Sequence, residues 1–333
     1  MSTLASASPI SVGRTRRGAV GSEFTEFTDE VTDIYQRLAP TDDGAFAVSV
    51  CTVDGQRFSV GDARDGFCVQ SVCKPVNYCL ALQAHGPERV HRFVGYEPSG
   101  QAFNALVLAE DGLPHNPMIN SGAIMCCSLL ASHHDPAAGF EYIMDTWRRL
   151  TDSTRPAFDA NCFRSETESA ERNFAIGELM MDAFPAGAEL GRTLELYLRC
   201  CSIELDAESL AVAAAAFANG GRTPLTGRRI FSPATVRRCL SLLSLCGMYD
   251  YSGQFAYSVG LPAKSGVSGA IMVVIPNVLG VCVFSPRLDR RGNSVRGIQF
   301  CRELASRFAF HPYYHGETGT RRRSLSGSWG ASR

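Results

Sequence analysis

Lysine is almost missing from this 333-residue chain. Of its 32 Lys and Arg residues, two (Lys74 and Lys264) are lysine and the other 30 are arginine. Net charge is missing as well: 32 basic against 33 acidic residues leave a formal charge of -1. Nucleic acid and anionic membranes both select a basic surface, so neither is expected as a partner. Long apolar runs are absent. Residues 210–218 fall short of the roughly 20 apolar residues a membrane-spanning helix needs, and residues 270–284 are interrupted by Pro276 and Asn277. No secretory apolar segment opens the chain, so the expectation is a soluble mitochondrial or cytoplasmic protein rather than a secreted one.

Metal and disulfide signatures are also lacking. The 13 cysteines are odd in number, and none has C-x-x-C spacing. Cys79, Cys126, Cys127 and Cys282 lie inside apolar stretches, which suggests reduced core thiols rather than a disulfide framework or a zinc site. The close histidine pairs are His133-His134 and His311/His315, the latter spanning Pro312, and neither is near a cysteine. No metal and no organic cofactor is expected.

What is present is ample core material: 45% hydrophobic and 20% charged residues, a composition that excludes disorder of the whole chain. Residues 1–22 carry no acid and are rich in Ser, Ala, Gly and Arg, which fits a transit peptide and a plain flexible tail equally. Residues 316–333 read as a disordered tail whose Arg321-Arg322-Arg323-Ser324 resembles a site for basic-directed kinases. Residues 23–315 remain as one domain. Two hairpins are expected there: 46–53 with 56–60 around Asp54-Gly55 as a two-residue turn, and 271–275 with 278–284 around Pro276-Asn277. Between them, helical patterns cover 71–84, 120–131, 140–149, 194–201, 207–218 and 233–245. The expected fold is α+β, with both terminal hairpins in one antiparallel sheet, a helical second lobe and a cleft between them.

The segment Gln70-Ser71-Val72-Cys73-Lys74-Pro75 follows the first hairpin. Proline is tolerated only in the first turn of a helix, so the helix begins near Ser71 and places Ser71 and Lys74 on one face. A serine hydroxyl attacks only when a neighbouring base takes its proton. Lysine can be that base once desolvated; arginine cannot. The other lysine falls in Lys264-Ser265-Gly266, just before the last hairpin. S-x-x-K paired with K-[ST]-G is the signature of the β-lactamase and penicillin-binding-protein fold. In that arrangement Lys264 is expected to carry a fixed positive charge that keeps Lys74 neutral. The backbone N–H groups of Ser71 and Val267 are expected to form an oxyanion hole.

Longer segments narrow the reading: VSVCTVDGQR (48–57), EPSG and FN (97–104), HNPMINSGAI (115–124), RNFAIG (172–177), CSIE (201–204), CGMYDYSGQFA (246–256), GLPAKSGV (260–267) and GNSVRGI (292–298). With QSVCKP they resemble the serine-dependent glutaminases, most of all the catalytic domain of the animal phosphate-activated enzymes, from about Asp33 to Phe310. The resemblance implies hydrolysis of L-glutamine to L-glutamate and ammonia by a homo-oligomer, dimer or tetramer. It implies Ser71 as nucleophile, Lys74 as base and Tyr249 as proton relay and substrate contact. Ser71, Asn120, Glu166, Asn173, Tyr197, Tyr249 and Val267 would line the glutamine pocket, with Lys264 in support. Glu166 suits the substrate α-ammonium, and the amides and hydroxyls suit its α-carboxylate.

Two departures stand out. Ile34 occupies the place of a family tyrosine that contacts substrate, with Tyr35 beside it, and Ala105 and Val107 replace a lysine and a phenylalanine in a loop tied to assembly and phosphate activation. The alternatives are therefore a glutamine-binding relative weakened in catalysis and a β-lactamase-like amidohydrolase.

Overall fold

The computed structural model describes residues 11–13, 22–39, 44–132 and 136–314. His133, His134, His315, the 316–333 tail with Arg321–Ser324, and most of residues 1–22 lie outside the described residues.

Both hairpins join one antiparallel sheet, as expected. Its strand order is Ser11–Gly13, Arg57–Gly61, Ala47–Thr52, Leu279–Phe284, Ala270–Ile275, Ala263–Ser265. The two hairpins meet where Ala47–Thr52 pairs with Leu279–Phe284, Ala47 opposite Phe284 and Thr52 opposite Leu279. Three strands (Ala47–Thr52, Ala270–Ile275 and Leu279–Phe284) are buried along their whole length. Burial on both faces is why they read as continuous apolar runs rather than alternating ones.

One face is covered by the Ala207–Ala218 helix. Its alanines permit close approach, and Gly280 completes it: a methyl group there would sit 2.2 Å from Ala215 N. The other face is covered by the Ser22–Leu38 and Val295–Arg307 helices, whose Phe24, Phe27, Val31, Phe300 and Leu304 share a second core with Val48, Val50, Val273 and Val281. Arg307 clamps these two helices together through Glu30 and through Asp33 at 2.6 Å.

The first hairpin turn is wider than expected. The strands stop at Thr52 and resume at Arg57, closed by Thr52 N to Gln56 O (2.9 Å) and Gly55 N to Thr52 O (3.0 Å). Thr52 Oγ1 accepts from Gln56 N, which stabilises the four-residue loop over the two-residue one. The second turn is centred on Pro276-Asn277 as read, with Val278 N donating to Ile275 O (3.0 Å) and Asn277 at φ 64°, but Ile275 pairs with Leu279, so Val278 belongs to the turn and not to the strand.

The helical lobe contains Asn120–Ala131 and Ala207–Ala218 with the expected bounds. Pro136–Thr151, Leu190–Cys201 and Pro233–Cys246 are each longer than the pattern indicated. Ala160–Glu168, Glu171–Leu179 and a small antiparallel sheet of Phe67–Cys68, Ile203–Leu205 and Ala157–Phe158 were not expected. Asp159 caps the Ala160–Glu168 helix by accepting from the N–H groups of Asn161 and Cys162. No helix among the described residues is long and apolar enough to cross a membrane. All thirteen cysteines are free, and eleven are buried, but Cys68 and Cys162 are partly exposed and so depart from the core reading.

Candidate active site

The serine helix starts later than its sequence suggested. Gln70–Cys73 forms a 3-10 turn, and the α-helix begins at Lys74 with Pro75 in its first turn. Ser71 is therefore held in the tighter turn, and the i, i+3 spacing still brings Lys74 Nζ to 2.9 Å from Ser71 Oγ. Behind this pair runs the strand Ala263–Ser265, continued by Gly266. A methyl group on Gly266 would lie 2.9 Å from Val69 O and 3.2 Å from Val72 Cγ2, so glycine allows the K-S-G segment to press against the nucleophile turn.

Lys74 is buried. Its Nζ lies 6.0 Å from the ring centres of both Phe103 and Tyr197, and it donates to Asn120 Oδ1 at 2.7 Å. Asn120 Nδ2 in turn donates to Asn173 Oδ1 at 2.9 Å. Burial lowers the Lys74 pKa to about 8, against a smaller opposing pull from the nearby thiols and Glu166. A neutral amine has two hydrogens and one lone pair. With one hydrogen committed to Asn120, the lone pair is free to face Ser71.

Lys264 is also fully buried, donating to Ser265 O at 2.7 Å with its Nζ 4.3 Å from the Tyr249 ring centre. The shift on Lys264 runs against the fixed positive charge expected of it. Lys264 is itself pushed well below the ordinary lysine pKa, first by burial and then by the charge of Lys74. Burial, and not the charge of Lys264, is the first cause of the lowered Lys74 pKa.

Tyr249 opens a 3-10 turn at φ 55°, a left-handed conformation that tyrosine rarely takes. Ser252 Oγ secures the turn, donating to Tyr249 O (2.7 Å) and accepting from Met248 N (3.0 Å). The Tyr249 ring packs at 4.5 Å on Phe103. Its hydroxyl is buried with no hydrogen-bond partner of normal geometry, yet it lies close enough to Ser71 for that side chain to offset part of the upward push of burial on its pKa. Val267, partly exposed, shares a wall with Tyr249 and Phe103: a methyl on Gly292 would lie 3.6–3.7 Å from all three.

Glu166 projects from the Ala160–Glu168 helix and accepts from Gln70 Nε2 at 3.1 Å. Thus Ser71, Lys74, Asn120, Asn173, Tyr197, Tyr249 and Lys264 form one connected group, and Glu166 joins it through Gln70. Gln70 is the residue that sequence reasoning passed over. Its φ of 49° places it in the left-handed region too, and glutamine gives no sequence signal of such a turn.

Residues 30–313 match the model of the glutaminase family, described simply as Glutaminase. The chain belongs to the glutaminase family. It is 44% identical over 315 residues to the mitochondrial liver isoform of glutaminase from Mus musculus, covering 90% of this chain and 52% of that one. It is 38% identical over 301 residues to a glutaminase from Nostoc sp., covering 90% and 88%. The solved structure of the probable glutaminase ybaS superposes with a TM-score of 0.83 at 30% identity, covering 89% of this chain and all of that one. The chain therefore spans about half the length of the animal relatives it matches. The fold is that of the glutaminases, α+β and β-lactamase-like.

The departures from the family can now be placed. Ile34 is fully buried in the core under the Ser22–Leu38 helix. Tyr35 stacks on Phe46 at 4.7 Å, and its hydroxyl donates to Phe46 O at 3.4 Å. Both side chains are engaged in seating that helix on the sheet. Ala105 is half-buried and Val107 exposed, in the loop whose Asn104 O accepts from Arg172.

Proposed function

We propose that this protein is a glutaminase that hydrolyses L-glutamine to L-glutamate and ammonia through a Ser71 acyl-enzyme. The observation that carries the reading is the 2.9 Å contact between Ser71 Oγ and a buried lysine whose pKa is lowered to about 8. Such a pair suits attack on a carbonyl at neutral to mildly alkaline pH.

In this reading Lys74 takes the Ser71 proton as Oγ attacks the side-chain amide carbon. The oxygen of the tetrahedral intermediate sits between the backbone N–H groups of Ser71 and Val267. Protonation of the leaving nitrogen needs a donor above the nucleophile. Tyr249, with a buried hydroxyl close to Ser71, fits that relay. Ammonia departs, and water enters against the ester with Lys74 again as base.

Substrate recognition follows from charge. Glu166 receives the α-ammonium, oriented by Gln70, while Asn120, Asn173, Tyr197 and Tyr249 serve the α-carboxylate. The reading extends to a homo-oligomer, dimer or tetramer, which sedimentation equilibrium of the purified chain tests. It extends also to a mitochondrial or cytoplasmic site of action, which fractionation of the source cells tests.

The deciding assay is ammonia release from glutamine by wild type and Ser71→Ala. The variant is expected to fall to background. Turnover near wild type would overturn the assignment of the nucleophile. Binding of glutamine by calorimetry without ammonia release from wild type would favour the weakened-binder alternative.

A further inference from the structure

Among thirteen free cysteines, the two that are not buried, Cys68 and Cys162, are neighbours. Cys68 ends the short strand Phe67–Cys68, three residues before Ser71. Cys162 lies in the first turn of the Ala160–Glu168 helix, four residues before Glu166. Cys162 lies close enough to Cys68 to add, after burial, to the upward push on the Cys68 thiol pKa. One carboxylate braces both: Asp159 Oδ2 accepts from Cys68 Sγ at 3.7 Å, and its Oδ1 accepts from Cys162 N at 3.0 Å. Gln70 connects the pair to the pocket, since its Nε2 donates to Cys162 Sγ at 3.6 Å and to Glu166 Oε1 at 3.1 Å.

The two sulfurs are not equivalent. Cys162 Sγ accepts from the Gln70 amide in the first turn of a helix. Cys68 Sγ donates to Asp159 Oδ2, and burial first, then Cys162 and Asp159, push its pKa up. Two thiols in different surroundings therefore share one carboxylate.

We propose that Cys68 and Cys162 form a reversible disulfide with low-molecular-weight disulfides such as oxidised glutathione as the oxidant, and that this bond weakens glutamine binding. Cys162 gives its proton to solvent and its sulfur attacks one sulfur of glutathione disulfide, breaking the S–S bond and releasing one glutathione thiolate. Cys68 then loses its proton to solvent past Asp159 and attacks Cys162 Sγ, releasing the second glutathione. Two protein thiols are oxidised by two electrons, and one glutathione disulfide is reduced to two thiols.

The consequence for the pocket follows from the bond length. A covalent separation of about 2.05 Å replaces a non-bonded contact and draws the first turn of the Glu166 helix toward the strand that leads into Ser71. Cys162 also ceases to be an acceptor for Gln70, which loosens the hold of Gln70 on Glu166. The Ser71–Lys74 pair lies outside this linkage. The functional consequence, unlike the bond itself, rests on the glutaminase reading above.

The experiment poises the purified full chain in glutathione buffers of increasing oxidised fraction. Free thiols are blocked, the linkage is mapped by mass spectrometry of a non-reduced digest, and ammonia release is followed in parallel. Expected is a Cys68–Cys162 linked peptide and a KM raised about tenfold, as for loss of one charge-assisted hydrogen bond, with kcat changed less than about twofold. Dithiothreitol should restore both. Cys68→Ser and Cys162→Ser, made separately, should keep the reduced KM and lose the response. Absence of the linked peptide at full oxidation, or a KM response that persists in both serine variants, would overturn the proposal. A linked peptide in a chain that releases no ammonia even when reduced would uphold the thiol pair and sink the glutaminase reading instead.

Discussion

The amine of Lys264 sits over the face of Tyr249, 4.3 Å from the ring centre, and its hydrogen-bond acceptor is the backbone oxygen of Ser265. Among the described residues no carboxylate pairs with it or with Lys74. Two buried amines without counter-charges oppose folding, and both lie where the chemistry is placed. Lys264→Met, similar in length and apolar, is therefore expected to raise the unfolding free energy by about 1–2 kcal/mol. The same change should lower kcat by at least about tenfold through loss of support to Tyr249. Thermal denaturation and steady-state kinetics on one preparation check both signs. A loss of stability would mark Lys264 as a structural residue.

The pH profile follows from Lys74. The base form is needed, and the pKa is lowered to about 8, so kcat/KM should climb with pH through a midpoint near that value. Lys74→Arg keeps a cation that cannot give up its proton and should lower kcat about a thousandfold or more. Stability carries the same signature. Below about pH 8 native and unfolded Lys74 both bind the proton and the burial penalty is complete. Between about 8 and the ordinary lysine value the native state binds fewer protons, so stability rises with pH. Denaturant midpoints measured across that range, with Lys74→Met losing part of the slope, test the linkage.

The central sheet and the Ser71–Lys74 contact were legible because each rests on local pattern: apolar runs around turn residues, and a fixed i, i+3 spacing before Pro75. Depth of burial was not legible. It turns Lys264 from an expected cation into a group held toward its neutral form. The strands of the small sheet have two or three residues each, too few to show a period of two. The Ser22–Leu38 helix did carry a signal, since Phe24, Phe27, Val31 and Ile34 recur at three- and four-residue intervals, all on the buried side.

Restoring the family tyrosine should therefore fail as a rescue. Ile34 has no exposed surface and shares its core with the sheet residues beneath the helix, so Ile34→Tyr inserts a ring and a hydroxyl into filled space. A loss of about 1–3 kcal/mol in unfolding free energy is expected, with no gain in kcat/KM. Urea denaturation and glutamine kinetics of the variant decide it. A higher kcat/KM at unchanged stability would mean the side chain at this position reaches the pocket after all.

Gln70 separates backbone strain from recognition. At φ 49° it sits where glycine is comfortable and glutamine is not, and its side chain holds Glu166 at 3.1 Å. Gln70→Gly should relieve the first and delete the second. Stability is expected to hold or rise by up to about 1 kcal/mol, while KM for glutamine rises about tenfold as Glu166 loses its orienting donor. Ser71 and Lys74 keep their own contact, so kcat should fall much less than KM rises. Gln70→Ala supplies the control: it removes the same amide but keeps the strain, and should match the glycine variant in KM while falling below it in stability. Equal melting temperatures for the two would mean the left-handed turn costs nothing here, and an unchanged KM in both would detach Glu166 from substrate binding.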